Sequence, residues 1–113
     1  MKTQRILYVA VALGTILTGC MNLGTPPEQI GGAYVSPHKY QSYECSHLAT
    51  ELASLSRREN QLITAQNSRV ESNRVLAFWY GSGNGDGVEA SELANVRGER
   101  EAVRTSMEAK GCK

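Results

Sequence analysis

The sequence predicts an all-α fold: an antiparallel two-helix hairpin closed by a disulfide, preceded by a cleaved signal peptide and an extended tether. Three observations carry that expectation. Apolar residues recur at helical spacing in two segments, a Gly-rich stretch separates those segments, and Cys45 and Cys112 stand at their outer ends.

The first element is the leader, residues 1–19. Lys2 and Arg5 supply a positive start, residues 6–17 form an apolar run, and small Gly19 precedes Cys20. The run is too short to span a bilayer comfortably, since a transmembrane helix needs roughly 20 apolar residues. Leu17-Thr18-Gly19-Cys20 resembles the bacterial lipobox at every position. The resemblance implies recognition of Leu17, Thr18 and Gly19 by a signal peptidase, cleavage before Cys20, and lipidation of the Cys20 thiol. Met21 follows where an Asp would favour retention at the inner membrane in enteric bacteria. The expected location is therefore the cell envelope, lipid-anchored at the outer membrane and facing the periplasm.

Cleavage leaves 12 − 2 = 10 basic residues against 11 acidic ones, because the leader holds Lys2 and Arg5 and no carboxylate. A near-neutral chain has no dense basic face for neutralising phosphates, so nucleic acid is not an expected partner. The mature chain is a single small domain with little core of its own, which makes a covalent staple valuable. With Cys20 acylated, Cys45 and Cys112 remain as a pair, and in an exported protein an even pair reads as a disulfide. Two buried free thiols are the competing reading.

Residues 20–41 form the expected tether. Pro26-Pro27, Gly31-Gly32 and Ser36-Pro37 interrupt any helical period. Fully stretched, such a segment spans about 60–70 Å, enough to hold a domain off a membrane. Alternatively Tyr34, Tyr40 and Tyr43 pack the segment onto the helices.

The hairpin domain is expected over residues 42–113, with its loop at about 80–88. In the first helix Cys45, Leu48, Leu52 and Leu55 share one face, with Ser42 as a candidate N-cap. Glu59, Leu62 and Gln66 continue the stripe, where polar residues weaken its packing. The second helix is signalled from about Val88, with Ser91 as a possible N-cap, Leu93, Val96, Val103 and Met107 on one face, Arg100 in its gap, and Gly111 as the stop. Arg97 with Glu101 and Arg104 with Glu108 sit four apart and read as a solvated face.

An antiparallel arrangement sets Cys45 beside Cys112, Leu52 and Leu55 near Val103, and Leu62 near Val96. The lengths do not match: a first helix reaching Phe78 is about 50 Å long and the second about 33 Å. Either the first helix breaks near residues 67–73, or it overshoots and the Gly-rich loop runs back; the continuous helix is preferred.

Phe78, Trp79 and Tyr80 fall at the hairpin tip. They mark a contact with a protein partner or a bilayer, or else Phe78 and Trp79 fold back to cap the core. In the adjoining loop, Asn84 and Asp86 echo part of an EF-hand, but position twelve is Leu93 where a bidentate Glu is required. His47 follows Cys45 by two residues, a spacing that does not share a helix face. No catalytic residue, metal site or cofactor is expected.

Pro26-Pro27-Glu28-Gln29-Ile30-Gly31-Gly32-Ala33-Tyr34-Val35-Ser36-Pro37, then Tyr40-Gln41-Ser42-Tyr43-Glu44-Cys45, Phe78-Trp79, Glu92-Leu93-Ala94, Gly98-Glu99 and Lys110-Gly111-Cys112 resemble a group of small proteobacterial lipoproteins. Those relatives carry a longer apolar stretch before Phe-Trp. Residues 67–74 here are polar, so membrane insertion of that stretch is not expected. The resemblance implies localisation and architecture and no established activity. The leading expectation is a non-enzymatic envelope element that meets another envelope protein. A coiled-coil subunit, whose polar positions Glu59, Gln66 and Arg100 pair with another chain, is the alternative; a small metal-binding or hydrolytic enzyme is a third.

Overall fold

A computed structural model describes residues 21–112. Two long helices, α1 over Cys45–Tyr80 and α2 over Val88–Lys110, pack antiparallel and are joined at one end by residues 81–87. At the other end Cys45 and Cys112 form a disulfide with their Cα atoms 5.5 Å apart. The fold class and the cysteine pairing follow the expectation. No helix among the described residues is long and apolar enough to cross a membrane.

α1 is unbroken through residues 67–73, because its buried stripe is continuous even where it turns polar: Leu48, Glu59, Leu62, Gln66, Val70, Asn73 and Ala77 recur three or four apart, apart from the half-buried Leu52 and Leu55 between them. Gly81 ends the helix in the left-handed conformation at φ 82°, donating its N–H to the Ala77 carbonyl. Tyr80 is the last residue that can stay helical there. Gly111 ends α2 in the same way, as its position suggested.

The starts of both helices differ from expectation. The residue before α1 is Glu44 rather than Ser42, and the residue before α2 is Gly87 rather than Ser91; neither end has a side-chain cap. A 3-10 turn over Pro37–Tyr40 and the following Tyr43 N–H to Tyr40 carbonyl bond occupy the chain around Ser42. Ser91 lies one turn inside α2, where its hydroxyl donates to the Val88 carbonyl.

α1 overshoots α2. Arg69 pairs with Glu89 at the start of α2, while Cys45 pairs with Cys112 at its end, so about eleven residues of α1, roughly 16 Å, extend past its partner. The loop runs back along this extension.

Residues 21–44 take the second of the two readings, packing onto the helices instead of forming a free tether. They run the length of the hairpin as a third layer, here termed the strap. At the disulfide end Tyr40 is 2% exposed and packs with Leu48, Ala102 and Val103, flanked by Val35, Tyr43, Leu52, Leu55 and Met107. Midway, the Ala33 N–H donates to the Ala94 carbonyl at 2.8 Å. There the backbones approach so closely that a Cβ on Gly98 would lie 1.8 Å from the Ala33 oxygen. Gly98 is therefore fixed by the crossing and not by helix preference, which would favour Ala by about 1 kcal/mol. Tyr40 and Tyr43 pack as the alternative reading had them, whereas Tyr34 is 87% exposed.

Candidate functional site

The candidate site is the loop end of the hairpin, built where α1 outruns α2. The vacant flank of α1 is filled by two pieces of backbone, the returning loop and the start of the strap. Asn73, buried on α1, holds the middle of the loop: its Oδ1 accepts from the Asn84 N–H at 2.7 Å and its Nδ2 donates to the Gly85 carbonyl at 2.8 Å. The strap then pairs with the loop. Gly83 N–H donates to the Met21 carbonyl at 2.7 Å and Gly85 N–H to the Asn22 carbonyl at 2.9 Å.

One turn lower, Asp86 secures the next strap residue. Its carboxylate accepts from the Thr25 N–H at 2.7 Å, the Thr25 hydroxyl at 2.6 Å and Gln66 Nε2 at 2.7 Å. The Thr25 hydroxyl and N–H bonds hold the Asp86 carboxyl below the usual carboxylate range, against the opposing effect of burial. Gln66 Nε2 also donates to the Thr25 carbonyl at 2.8 Å.

The polar stripe is used for hydrogen bonding, although Gln66 Oε1 and Arg100 Nε stay buried without a partner among the described residues. Gln66 and Asn73 are the hooks that hold backbone which no apolar side chain could satisfy. The same applies lower down. Arg97 turns inward instead of pairing with Glu101 on a solvated face: it donates to the Pro27 and Ile30 carbonyls of the strap and to Glu59 at 3.2 Å. Arg100 joins the same Glu59 carboxylate. Glu59, Gln66 and Arg100, the positions that pairing with another chain would have explained, all have partners within this one.

The tip aromatics remain outside. Phe78, Trp79 and Tyr80 are 78%, 71% and 80% exposed, and Val75 is exposed beside them. Phe78 and Trp79 do not fold back over the core; their rings meet each other edge to face at 5.1 Å. The reason is register: Ala77 takes the inward position of the last turn, and its small side chain leaves room for the loop while the next three residues point away.

At the opposite end, Lys39 Nζ lies 2.6 Å from Glu99, and the Tyr40 hydroxyl donates to the same carboxylate. Burial opposes ionisation of Glu99, but the bonds from Lys39 and Tyr40 outweigh it and hold its pKa below the usual range. A shallow groove of about 540 Å³ opens nearby between strap and α2, lined by residues including Tyr34, Pro37, His38, Thr105 and Ala109. His38 Nδ1 lies 2.7 Å from Gln41 Oε1, and His47 is exposed on α1. Asp86, in the loop that echoes part of an EF-hand, is engaged by Thr25 and Gln66.

Leu17, Thr18, Gly19 and Cys20 lie outside the described residues. Sequence reasoning missed Asn22 and Thr25, and it missed the roles that Asp86 and Gly98 play in holding the strap. The lone carboxylate in an otherwise uncharged glycine loop was the available signal for Asp86, and a glycine within a helical stripe for Gly98. In comparisons with family models, curated proteins and solved structures, nothing matches this chain.

Proposed function

We propose that this chain is a non-enzymatic, lipid-anchored protein of the cell envelope, held at the outer membrane facing the periplasm, in which the strapped hairpin is a structural or partner-binding element. One observation carries the proposal: a basic and then apolar leader ends in Leu17-Thr18-Gly19-Cys20, the pattern that lipid attachment at Cys20 requires. The disulfide is in keeping with an oxidising compartment. An envelope protein is the class of partner, and the groove beside Tyr34 offers it a concave surface away from the tip.

The test is metabolic labelling with a fatty acid, followed by fractionation of cells producing the wild type and Cys20→Ala. Acylated wild type in the outer membrane, with unlabelled Cys20→Ala in another fraction, supports the proposal. A wild type that takes up no label, or membrane retention of Cys20→Ala equal to wild type, overturns it. Met21→Asp should move the labelled protein to the inner membrane in an enteric host.

A further inference from the structure

We infer that the aromatic end of the hairpin is a membrane foot: Phe78, Trp79 and Tyr80 seat in the headgroup region of a phospholipid bilayer, and the hairpin stands on it with the disulfide end outward. The inference rests on the proposed lipid anchor for its orientation. Three independent features of the tip support it.

The first is where the chain arrives. Met21 and Asn22 are hydrogen-bonded to Gly83 and Gly85, in the loop that follows Tyr80. Cys20 is the neighbour of Met21, and consecutive Cα atoms are about 3.8 Å apart. A lipid on Cys20 therefore brings the bilayer to this end of the molecule, with no free tether between them. Of all the protein surface, the tip is what such an anchor presses against the membrane.

The second is composition. Residues 75–85 contain no Asp, Glu, Lys or Arg, and neither do residues 21–27. Both pieces of chain that form the tip are thus free of charge, and a charged side chain at membrane depth is the costliest feature an inserting surface can carry. The disulfide end is different, with Glu44, Glu108 and Lys110 around it.

The third is the kind of apolar residue. Trp and Tyr have an apolar body and a polar edge, and they gather at membrane–water interfaces for that reason. Phe78, Trp79 and Tyr80 are consecutive on the last turn of α1, fully turned outward, with Val75 exposed one turn before. The acyl chains supply the membrane affinity. Once they are inserted, the foot acts at high effective concentration and fixes posture.

Trp79 is the single tryptophan, so its fluorescence reports the tip alone. The full mature protein is purified, its acylation read by intact mass, and reconstituted into phosphatidylethanolamine/phosphatidylglycerol vesicles with or without brominated phospholipid. The expected result is a blue-shifted Trp79 emission relative to unlipidated Cys20→Ser in buffer, and a roughly twofold loss of emission with brominated lipid, as for an indole at headgroup depth. A second acylated variant, Trp79→Phe with Ala109→Trp, moves the reporter to the disulfide end and should show no such loss.

Equal quenching of both reporters means a hairpin lying flat and overturns the inference. Acylated protein whose Trp79 stays as exposed to acrylamide as in Cys20→Ser also overturns it, leaving the anchor intact. Protection from acrylamide without bromolipid quenching means a protein partner or a second copy covers the tip, and overturns it as well. If intact mass shows no acyl group, the anchor reading fails separately. Unlipidated protein added to vesicles then decides: bromolipid quenching of Trp79 supports the foot, and its absence overturns it.

Discussion

Asp86 and Glu99 each tie α2 or its preceding loop to the strap, and each is held ionised by donors from the strap: Thr25 in one case, Lys39 and Tyr40 in the other. Both carboxyls have folded pKa values below their unfolded ones. Their contributions are therefore complete above the ordinary carboxylate range and are lost as pH falls from that range through the lower folded values. Lys39 has the opposite sign. Its hydrogen bond to Glu99 raises its pKa, so its contribution is present below the usual lysine range and fades above it. Thermal melting should thus show stability falling from pH 7 toward pH 3, and the combined Asp86→Asn, Glu99→Gln variant should show a flatter profile. Asp86→Ala alone leaves three donors without their acceptor. Hydrogen bonds to charged groups are worth about 1.5–3 kcal/mol each at most, and partial solvation of this site puts the whole effect near the low end. The measurable outcome is faster amide exchange at Thr25 and Gly85, with α1 and the disulfide end of α2 unchanged.

At the scale of elements, the strap and α2 meet through backbone, and this makes Gly98 the sharpest test. An alanine in a helix interior gains about 1 kcal/mol over glycine, but its Cβ would collide with the Ala33 oxygen. The contact atom is main chain and cannot rotate aside. Gly98→Ala should therefore leave helical circular dichroism unchanged or slightly raised while the strap lifts, seen as proteolytic cleavage near residues 31–34 that the parent resists. A control at exposed Gly31, where a Cβ meets nothing within 4 Å, should leave cleavage unaltered.

The two helices, the stop of α2 and the cysteine pair were legible because each rests on local signals: spacing of three and four, glycine at a C-terminus, cysteines at outer ends; the stop of α1 at Gly81 was not read. Continuity of α1 was legible too, since Glu59, Leu62, Gln66, Val70, Asn73 and Ala77 keep the period. The strap was not. Gly and Pro deny it any period of its own, and its fastenings are hydrogen bonds to carbonyls and amides, groups that every residue has. Arg97 illustrates the loss: its spacing to Glu101 fits a surface ion pair, while the strap's carbonyls, some 70 residues earlier in the chain, and Glu59 of α1 draw it inward.

For the molecule as a whole, stability depends on closing a hairpin whose central stripe is partly polar. The disulfide closes a 67-residue loop at the end opposite the turn. The chain-entropy model puts such a closure at roughly 4 kcal/mol, a large share of what a domain this small holds. Cys45→Ser with Cys112→Ser should lower the denaturation midpoint strongly, and reduction of the wild type should reproduce that shift. The strap loses its footing at Tyr40 first, because Tyr40 packs on the turns nearest the cysteines.

The pairings of the strap have one further consequence, in time instead of space. Thr25 waits for Asp86, Ala33 for Ala94 and Lys39 for Glu99, each some 60 residues downstream. A chain made from its N-terminus therefore has the stretch after Cys20 in hand long before its docking surface exists. During that interval residues 21–44 are an open peptide. Completion of α2 then draws them down onto the folded body, so the segment made first is among the last to be fastened.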